Sequence, residues 1–315
     1  MPHYFSFWCN WPVSCSICAQ ENEYISGYSI YLMLQAVKNA RPGWQAEMDM
    51  RLEKRGSKTV MAGLTHRGPL RVQRPFYPEG DTSHIYLLHP PGGVVGGDGL
   101  TFKVSCQQQA HGLFTTPGAT KFYLSAGPMA EVQQMLHVGA GCALEWFPQE
   151  SIFFTGSKVA SKTQVDLEGD AHFMGWEISC FGRPVNQERF LHGQVKTRFQ
   201  VRRDGRPLLT DHLHVSDPKH LSAAAGLRDY PMQGLFVATG GNEALLEECR
   251  EVLAAAQEKL VQPLPAGMTL LDDLIVLRVL GVSTEKMQSL MIPVWQLLRQ
   301  KVLNKQAEIP RIWNT

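Results

Sequence analysis

The sequence is poor in several features, and each shortage removes a class of function. No apolar run reaches about 18 residues, so a membrane-spanning helix is not expected. Neither sign of charge is in surplus: 30 Lys and Arg stand against 29 Asp and Glu, a net +1. A surface that tracks nucleic-acid phosphates needs a basic excess, so bulk nucleic-acid binding is disfavoured. The seven cysteines are odd in number and irregularly spaced, which gives no disulfide framework and points to a reducing, cytoplasmic compartment. No glycine loop is followed by Gly-Lys-Ser/Thr, and G-x-G-x-x-G, G-x-S-x-G and H-E-x-x-H are all missing. Catalytic machinery therefore has no motif to stand on. What is present is a packed composition, 44% hydrophobic and 19% charged, with 19 prolines and 28 glycines that suit many turns and short strands.

Residues 1–43 read differently from the rest. Met1 to Val37 hold only two acidic residues, Glu21 and Glu23, and no Lys or Arg, while Trp, Tyr and Cys crowd together. A secretory signal would place positive charge before its apolar stretch, whereas here Lys38 comes after it. Cys15-x-x-Cys18 has metal or redox spacing, but no second CxxC or His pair completes a zinc site. This segment reads as a loosely attached extension, of the kind an upstream start codon would add.

From Gly43 to about Thr239 the period is two. Leu100, Phe102, Val104 and Cys106 alternate with Thr101, Lys103 and Ser105, and similar runs lie at Val159–Leu167 and Val195–Val201. Each is a half-buried strand with one wet face. A long all-β body of sandwich, barrel or β-helix type is expected over 44–240. The period then changes. Leu245, Leu246, Cys249, Val252, Leu253, Ala256 and Leu260 share one helical face behind Asn242 as N-cap. A buried strand, Leu274 to Leu280, should follow, and then a second helix after Ser283 carrying Met287, Leu290, Met291, Val294, Leu297 and Leu298, with Pro293 kinking it. The helical part spans 241–304 and a tail 305–315 closes the chain. The helices read as core cover or as a partner-docking surface.

Chemistry has few candidates. The densest glycine cluster, with His89, Pro90, Pro91, Gly92, Gly93, Gly96 and Gly97 ahead of Asp98, reads as a tight bulge or as a loop that keeps a passage open beside Asp98. Glu145, Glu150 and Glu177 sit among aromatics, where a carboxylate needs a partner or water. Arg183 could pair with one of them; a hydrated channel or a catalytic pair are the other readings. His212 and His214 place two imidazoles on one strand face, half of a metal site with no companion ligands.

Five blocks in order carry a resemblance: HPPGGVVGGD (His89–Asp98), TTPGATKFYLS (Thr115–Ser125), LEWFPQE (Leu144–Glu150), GWEI (Gly175–Ile178) and Pro310-Arg-Ile-Trp313. Together they resemble the urease accessory protein UreD family, called UreH in some species, over roughly residues 43–315. The resemblance implies a mostly β, β-helix-like body of stacked sheets with a C-terminal pair of α-helices, working without catalysis. It implies binding to apo-urease and to UreF, which recruits the GTPase UreG, in a higher-order complex that delivers Ni²⁺. The missing P-loop agrees with nucleotide chemistry left to a partner, and the missing Cys/His cage with nickel in transit and no permanently bound cofactor.

Hydrated carboxylates admit a cation and release it, where thiolate and imidazole cages hold it. Asp98, Glu145, Glu150 and Glu177 are therefore expected to lend negative potential to a water-filled nickel route through the β body. A non-conducting structural clamp is the alternative, and a carbohydrate-active β-helix enzyme with Glu145 and Glu150 as its carboxylates is another. In the tail, Arg311 and Trp313 sit two apart, on the same side if the segment is extended, and are expected to bind a partner, UreF foremost, unless the tail seals its own body.

Overall fold

Alternation of apolar and polar side chains, repeated at near-constant spacing, builds the body. The computed structural model describes residues 43–314; the Cys15/Cys18 pair and the rest of the proposed extension up to Pro42 lie outside them. Eighteen strands, numbered here in chain order, form two sheets among the described residues. In the first sheet β1 (Gln45–Arg55), β5 (Gly99–Gln107), β8 (Ala130–Val138), β11 (Lys158–Leu167) and β14 (Gln194–Arg203) run parallel. Antiparallel β2 (Lys58–Arg67) and β15 (Arg206–Val215) close its two edges. The second sheet has a parallel run of β4 (Ser83–Leu88), β6 (His111–Thr115), β9 (Ala143–Phe147) and β12 (His172–Arg183), with β3 (Arg71–Val72) antiparallel at one edge. Antiparallel β16 (Met232–Ala238), β18 (Leu274–Gly281) and β17 (Ala266–Leu271) extend it.

The chain winds between the sheets as a solenoid. Gly99 pairs with Glu131, 32 residues on, and Ala130 with Val159, 29 residues on. In the other sheet His111 pairs with Ala143 and Ala143 with His172, the same two intervals. A third side carries β7 (Thr120–Phe122) and β10 (Ser151–Phe153), and β10 pairs in parallel with both β7 and the end of β12; β13 (Glu188–Arg189) folds back on β12. Of the architectures the alternation left open, the β-helix-like one is observed. Met48, Leu100, Leu136, Val159, Val195 and Phe173 fill the lumen, each almost fully buried and worth roughly 1.5–3 kcal/mol.

Outside the second sheet lie the helices. These are α2 (Glu243–Gln257) and α3 (Thr284–Leu303); a single earlier turn, α1 (Lys219–Ser222), lies by β15 of the first sheet. The Asn242 side chain accepts from the Leu245 amide at 2.9 Å and Ser283 Oγ from the Lys286 amide at 3.4 Å, so both helices start at the capping residues the sequence offers. Helix α3 runs on through Pro293. Leu245, Cys249, Leu253, Met287, Met291 and Leu298 cover Trp176, Phe236 and Leu277 on the sheet. The β17–β18 hairpin continues the same sheet between the two helices, so the helices form a layer on the body.

Candidate functional site

Strand register determines which polar side chains enter the lumen. On the first sheet Phe102, Gln134, Thr163 and Phe199 are neighbours in one inward row, so two polar residues interrupt an aromatic band. From the second sheet Trp146 points inward beside Gly175, and Glu177 follows two residues later on the same face. A hydrogen-bond chain joins them. Trp146 Nε1 donates to Gln134 Oε1 at 2.9 Å, Gln134 Nε2 donates to Thr163 Oγ1 at 2.9 Å, and the Thr163 hydroxyl donates to Glu177. A cavity of about 530 Å³ lies here, lined by Gln134, Trp146, Ser161, Glu177, Ser179 and Thr197 and opening by the His89–Gly93 loop. Burial raises the Glu177 pKa to about 7 against the opposing Thr163 hydrogen bond, with the Asp211 charge adding to the rise. Glu177 thus changes charge near neutrality, in a space large enough for water and ions.

The glycine cluster forms the edge of this cavity. The His89 ring stacks on Trp44 at 5.3 Å. Asp98 is 2% exposed; its Oδ2 accepts from the Val95 amide at 2.9 Å and closes the loop. Among the described residues its Oδ1 has no hydrogen-bond partner, and neither does the buried His89 Nε2. Burial holds the His89 imidazole below its ordinary pKa, opposed by the Asp98 charge. Two buried polar atoms left bare in one loop are a rare pair, since such groups are nearly always satisfied. Gly96 is needed for close approach: a Cβ there would fall 2.0 Å from Ser125 Oγ and 2.5 Å from the Pro128 carbonyl oxygen. Gly97 takes φ +93°, a region open to glycine.

Glu145 faces the other way. It is 0% exposed and lies beneath α3, on the face of the second sheet opposite the lumen. His111 Nε2 lies 2.6 Å from its Oε1, Trp295 Nε1 donates to Oε2 at 2.6 Å, and Arg299 Nε donates to both oxygens at 3.0 and 3.1 Å. Arg299, also 0% exposed, donates onward to Glu79 Oε2 at 2.6 Å and to the Gln306 carbonyl. His84 Nε2 then meets Glu79 Oε1 at 2.5 Å. Burial alone would raise the Glu145 pKa; the His111 hydrogen bond and the Arg299 charge outweigh it and hold the carboxyl at about 2. Every oxygen of Glu145 is committed to this clasp between body, helix and tail.

The remaining candidates are scattered. Glu150 is half-buried at the start of β10, and its charge, after burial, helps push the Cys180 thiol up to about 12. Arg183 pairs with Glu188 and not with any of the three acidic candidates, which corrects the partner considered from sequence. His212 and His214 are exposed on β15 opposite Arg198 and Lys196, and the described residues hold no cluster of His, Cys, Asp and Glu fit for a metal. The tail is not extended: Arg311–Asn314 is a 3₁₀ turn, so Arg311 and Trp313 do not share the face that extension would give. Trp313 is packed against its own chain, at 4.9 Å from Trp176, 5.5 Å from Trp295 and 5.7 Å from Phe147, with Nε1 donating to Thr115 Oγ1 at 2.9 Å. Arg311 stays on the surface. Of the four carboxylates, only Glu177 lines the cavity.

Comparison with known proteins settles the family. The profile described as "UreD urease accessory protein" matches residues 45–314. A urease accessory protein UreD of Alcanivorax borkumensis is 63% identical over 277 residues, covering 87% of this chain and 93% of that one. The chain belongs to the UreD family. Further UreD relatives from Escherichia coli and Klebsiella aerogenes are 43% and 42% identical, each spanning 87% of this chain and 98% of theirs. UreD proteins are chaperone-type accessories in urease maturation, not enzymes, so the carbohydrate-active alternative falls. It falls on geometry too, because Glu145 is 0% exposed with both oxygens bonded to His111, Trp295 and Arg299, out of reach of a substrate. No helix among the described residues is long and apolar enough to cross a membrane.

Sequence reasoning missed Gln134, Thr163, Glu79, His111 and Arg299. Arg299 did leave a signal: it lies four residues after Trp295 and eight after Met291, on the apolar stripe of α3. A lone Arg there calls for a buried acid, and Glu145 was the carboxylate in need of a cation.

Proposed function

We propose that this chain scaffolds UreF, and through it the GTPase UreG, on apo-urease in the cytoplasm, and that Ni²⁺ in transit crosses its lumen past Glu177 without being stored. The observation that carries the passage is Glu177 itself, a carboxylate titrating near neutrality beside Gln134, Ser161, Ser179 and Thr197 in a cavity of mixed polar and apolar lining. A cation arriving there displaces a proton, binds a single carboxylate, and leaves again because no second strong ligand closes the site. The bare Asp98 Oδ1 and His89 Nε2 supply polar atoms at the loop end of that route. Onward from Glu177, Asp211 lies in the inward row next to Phe199 and is bound by Arg278 at 3.1 Å, marking the far edge of the two sheets. Glu145 and Glu150 drop out of the route: the first is saturated by Arg299, the second lies off the lumen. Arg311 remains a candidate contact for UreF, while Trp313 acts by holding the tail against α3 and β6.

The competing reading is a clamp that nickel never enters, and the saturated Glu145 clasp favours a stiff scaffold in either case. Nickel titration of the complex of this chain with UreF, by calorimetry, separates them. The passage predicts weak nickel binding that Glu177→Gln and Asp98→Asn reduce; identical isotherms for all three complexes would leave only the clamp.

A further inference from the structure

The passage has a mouth, and the surface beside it is unusually apolar. On the third side of the solenoid successive turns stack their outward side chains. Tyr123 and Phe154 lie face to face at 4.9 Å with 14° between planes, and the Arg183 guanidinium sits 5.1 Å over the Phe154 ring. Leu124 rests on Gly156, where an added Cβ would fall 2.1 Å from Leu124 Cδ1 and 3.0 Å from His192. Leu191 follows next door, its amide donating to Thr155 Oγ1 at 3.1 Å. Leu124 and Leu191 are each 64% exposed, and Tyr123 is 41% exposed. Single exposed leucines need no explanation, but a contiguous apolar ladder edged by Tyr and Arg has the composition of a binding hot spot.

One cation on it is uncompensated. Lys121 stands two residues before Tyr123, on the same face of the strand, and lines the cavity mouth. Among the described residues no carboxylate comes within ion-pair distance of it, and His192 is exposed beside Leu124 without an acidic partner. Of the acids elsewhere on this side, Glu188 is paired with Arg183 and Asp229 with Arg189, while Glu150, beside Thr120 at the start of β10, has no ion pair among the described residues and does not reach Lys121. A lone ammonium at the mouth of a cation passage repels the cargo unless something cancels it.

We propose that this ladder docks an apolar segment of a partner protein flanked by carboxylates, which cover Leu124, Tyr123 and Leu191 and neutralise Lys121 as the passage opens. The proposal rests on the lumen passage for its purpose but not for its contacts. A membrane surface fits less well, because membrane recruitment of this kind uses clusters of several free cations, and here Arg183 and Arg189 are already paired.

The test uses the full chain carrying Leu124→Asp, Leu191→Asp or Lys121→Glu, with Val261→Asp as control because Val261 is fully exposed and distant in sequence from the ladder. Purified apo-urease and purified UreF are the two probes, measured at low and high salt, with phosphatidylserine vesicles as a third. Expected is a loss of about tenfold or more in binding to one of the two proteins for each leucine variant. Lys121→Glu should weaken the same binding and flatten its salt dependence, while the control stays within about twofold. Affinities for both proteins within about twofold of the unmodified chain, or vesicle binding as the only property lost, would overturn the proposal. Thermal unfolding is recorded alongside, and Leu191→Ser carries the test if an aspartate variant does not fold. Glu177→Gln keeps the two ideas apart: normal nickel transfer by that variant, with binding lost in Leu124→Asp, removes the passage and leaves the docking surface standing.

Discussion

Replacing Arg299 with methionine would leave two buried carboxylates facing one another across the space the guanidinium had filled. Arg299 is 0% exposed and supplies donors to Glu145, Glu79 and the Gln306 carbonyl, so one substitution unties helix, body and tail at once. Breaking one partner out of a buried ion pair costs about 3–5 kcal/mol, because the remaining charge is left uncompensated. In a chain of this size each kcal/mol lowers Tm by roughly 2–4 °C, so a fall of roughly 6–20 °C is expected by calorimetry. Acid has the same effect from the other side. Glu145 has a depressed pKa, about 2 against 4.5, so its contribution of about 3 kcal/mol is present above pH 4.5 and is lost as pH falls toward 2. Adding Glu145→Leu to Arg299→Met should restore part of the loss, since one of the two stranded carboxylates is then removed while Glu79 keeps His84 as its partner. A Tm within about 3 °C of the unmodified chain for Arg299→Met alone would refute the clasp as a source of stability.

Glu177 runs in the opposite direction. Its raised pKa means that stability is lost as pH climbs from 4.5 through about 7, so Glu177→Gln should be more stable by about 3 kcal/mol at pH 8, with the difference gone by pH 4.5, in urea titrations at the two pH values. Trp313→Ala should lose about 2–4 kcal/mol and the near-ultraviolet circular dichroism of the Trp176–Trp295 cluster, whereas Arg311→Ala should stay within about 0.5 kcal/mol and change only partner affinity. His212→Ala with His214→Ala should leave nickel binding by calorimetry as it was, because the pair is exposed and without further ligands.

Period-two alternation made the strands around Leu100, Val159 and Val195 legible, and Asn242 and Ser283 marked both helix starts to the residue. Periodicity says which side chains face inward but not which strands are neighbours. That is why the solenoid winding, with its 32- and 29-residue intervals, was reached through resemblance and not through the pattern. Pairing is the same problem at the level of the site. Glu145 and Glu177 look alike in sequence, each beside a Trp, yet Glu145 aligns with Met174 and so faces α3, while Glu177 lies on the Gly175 face and enters the lumen. Glu145 and its Arg299 partner stand 154 residues apart, a distance no local rule bridges. Composition leaves the tail either tucked onto its own body or docked to a partner, and the tucked arrangement, with Trp313 in a 3₁₀ turn against Trp176 and Trp295, depends on contacts far along the chain.

The central claim is that nickel passes Glu177 on its way into urease. Apo-urease is activated with UreF, UreG and either the unmodified chain or its Glu177→Gln variant, at nickel limiting to the number of urease sites, and the nickel bound to urease is then measured by mass spectrometry. The account predicts a clear shortfall in nickel for Glu177→Gln with the complex still assembled and stable. Equal nickel occupancy from the two, in complexes of equal yield, would contradict it.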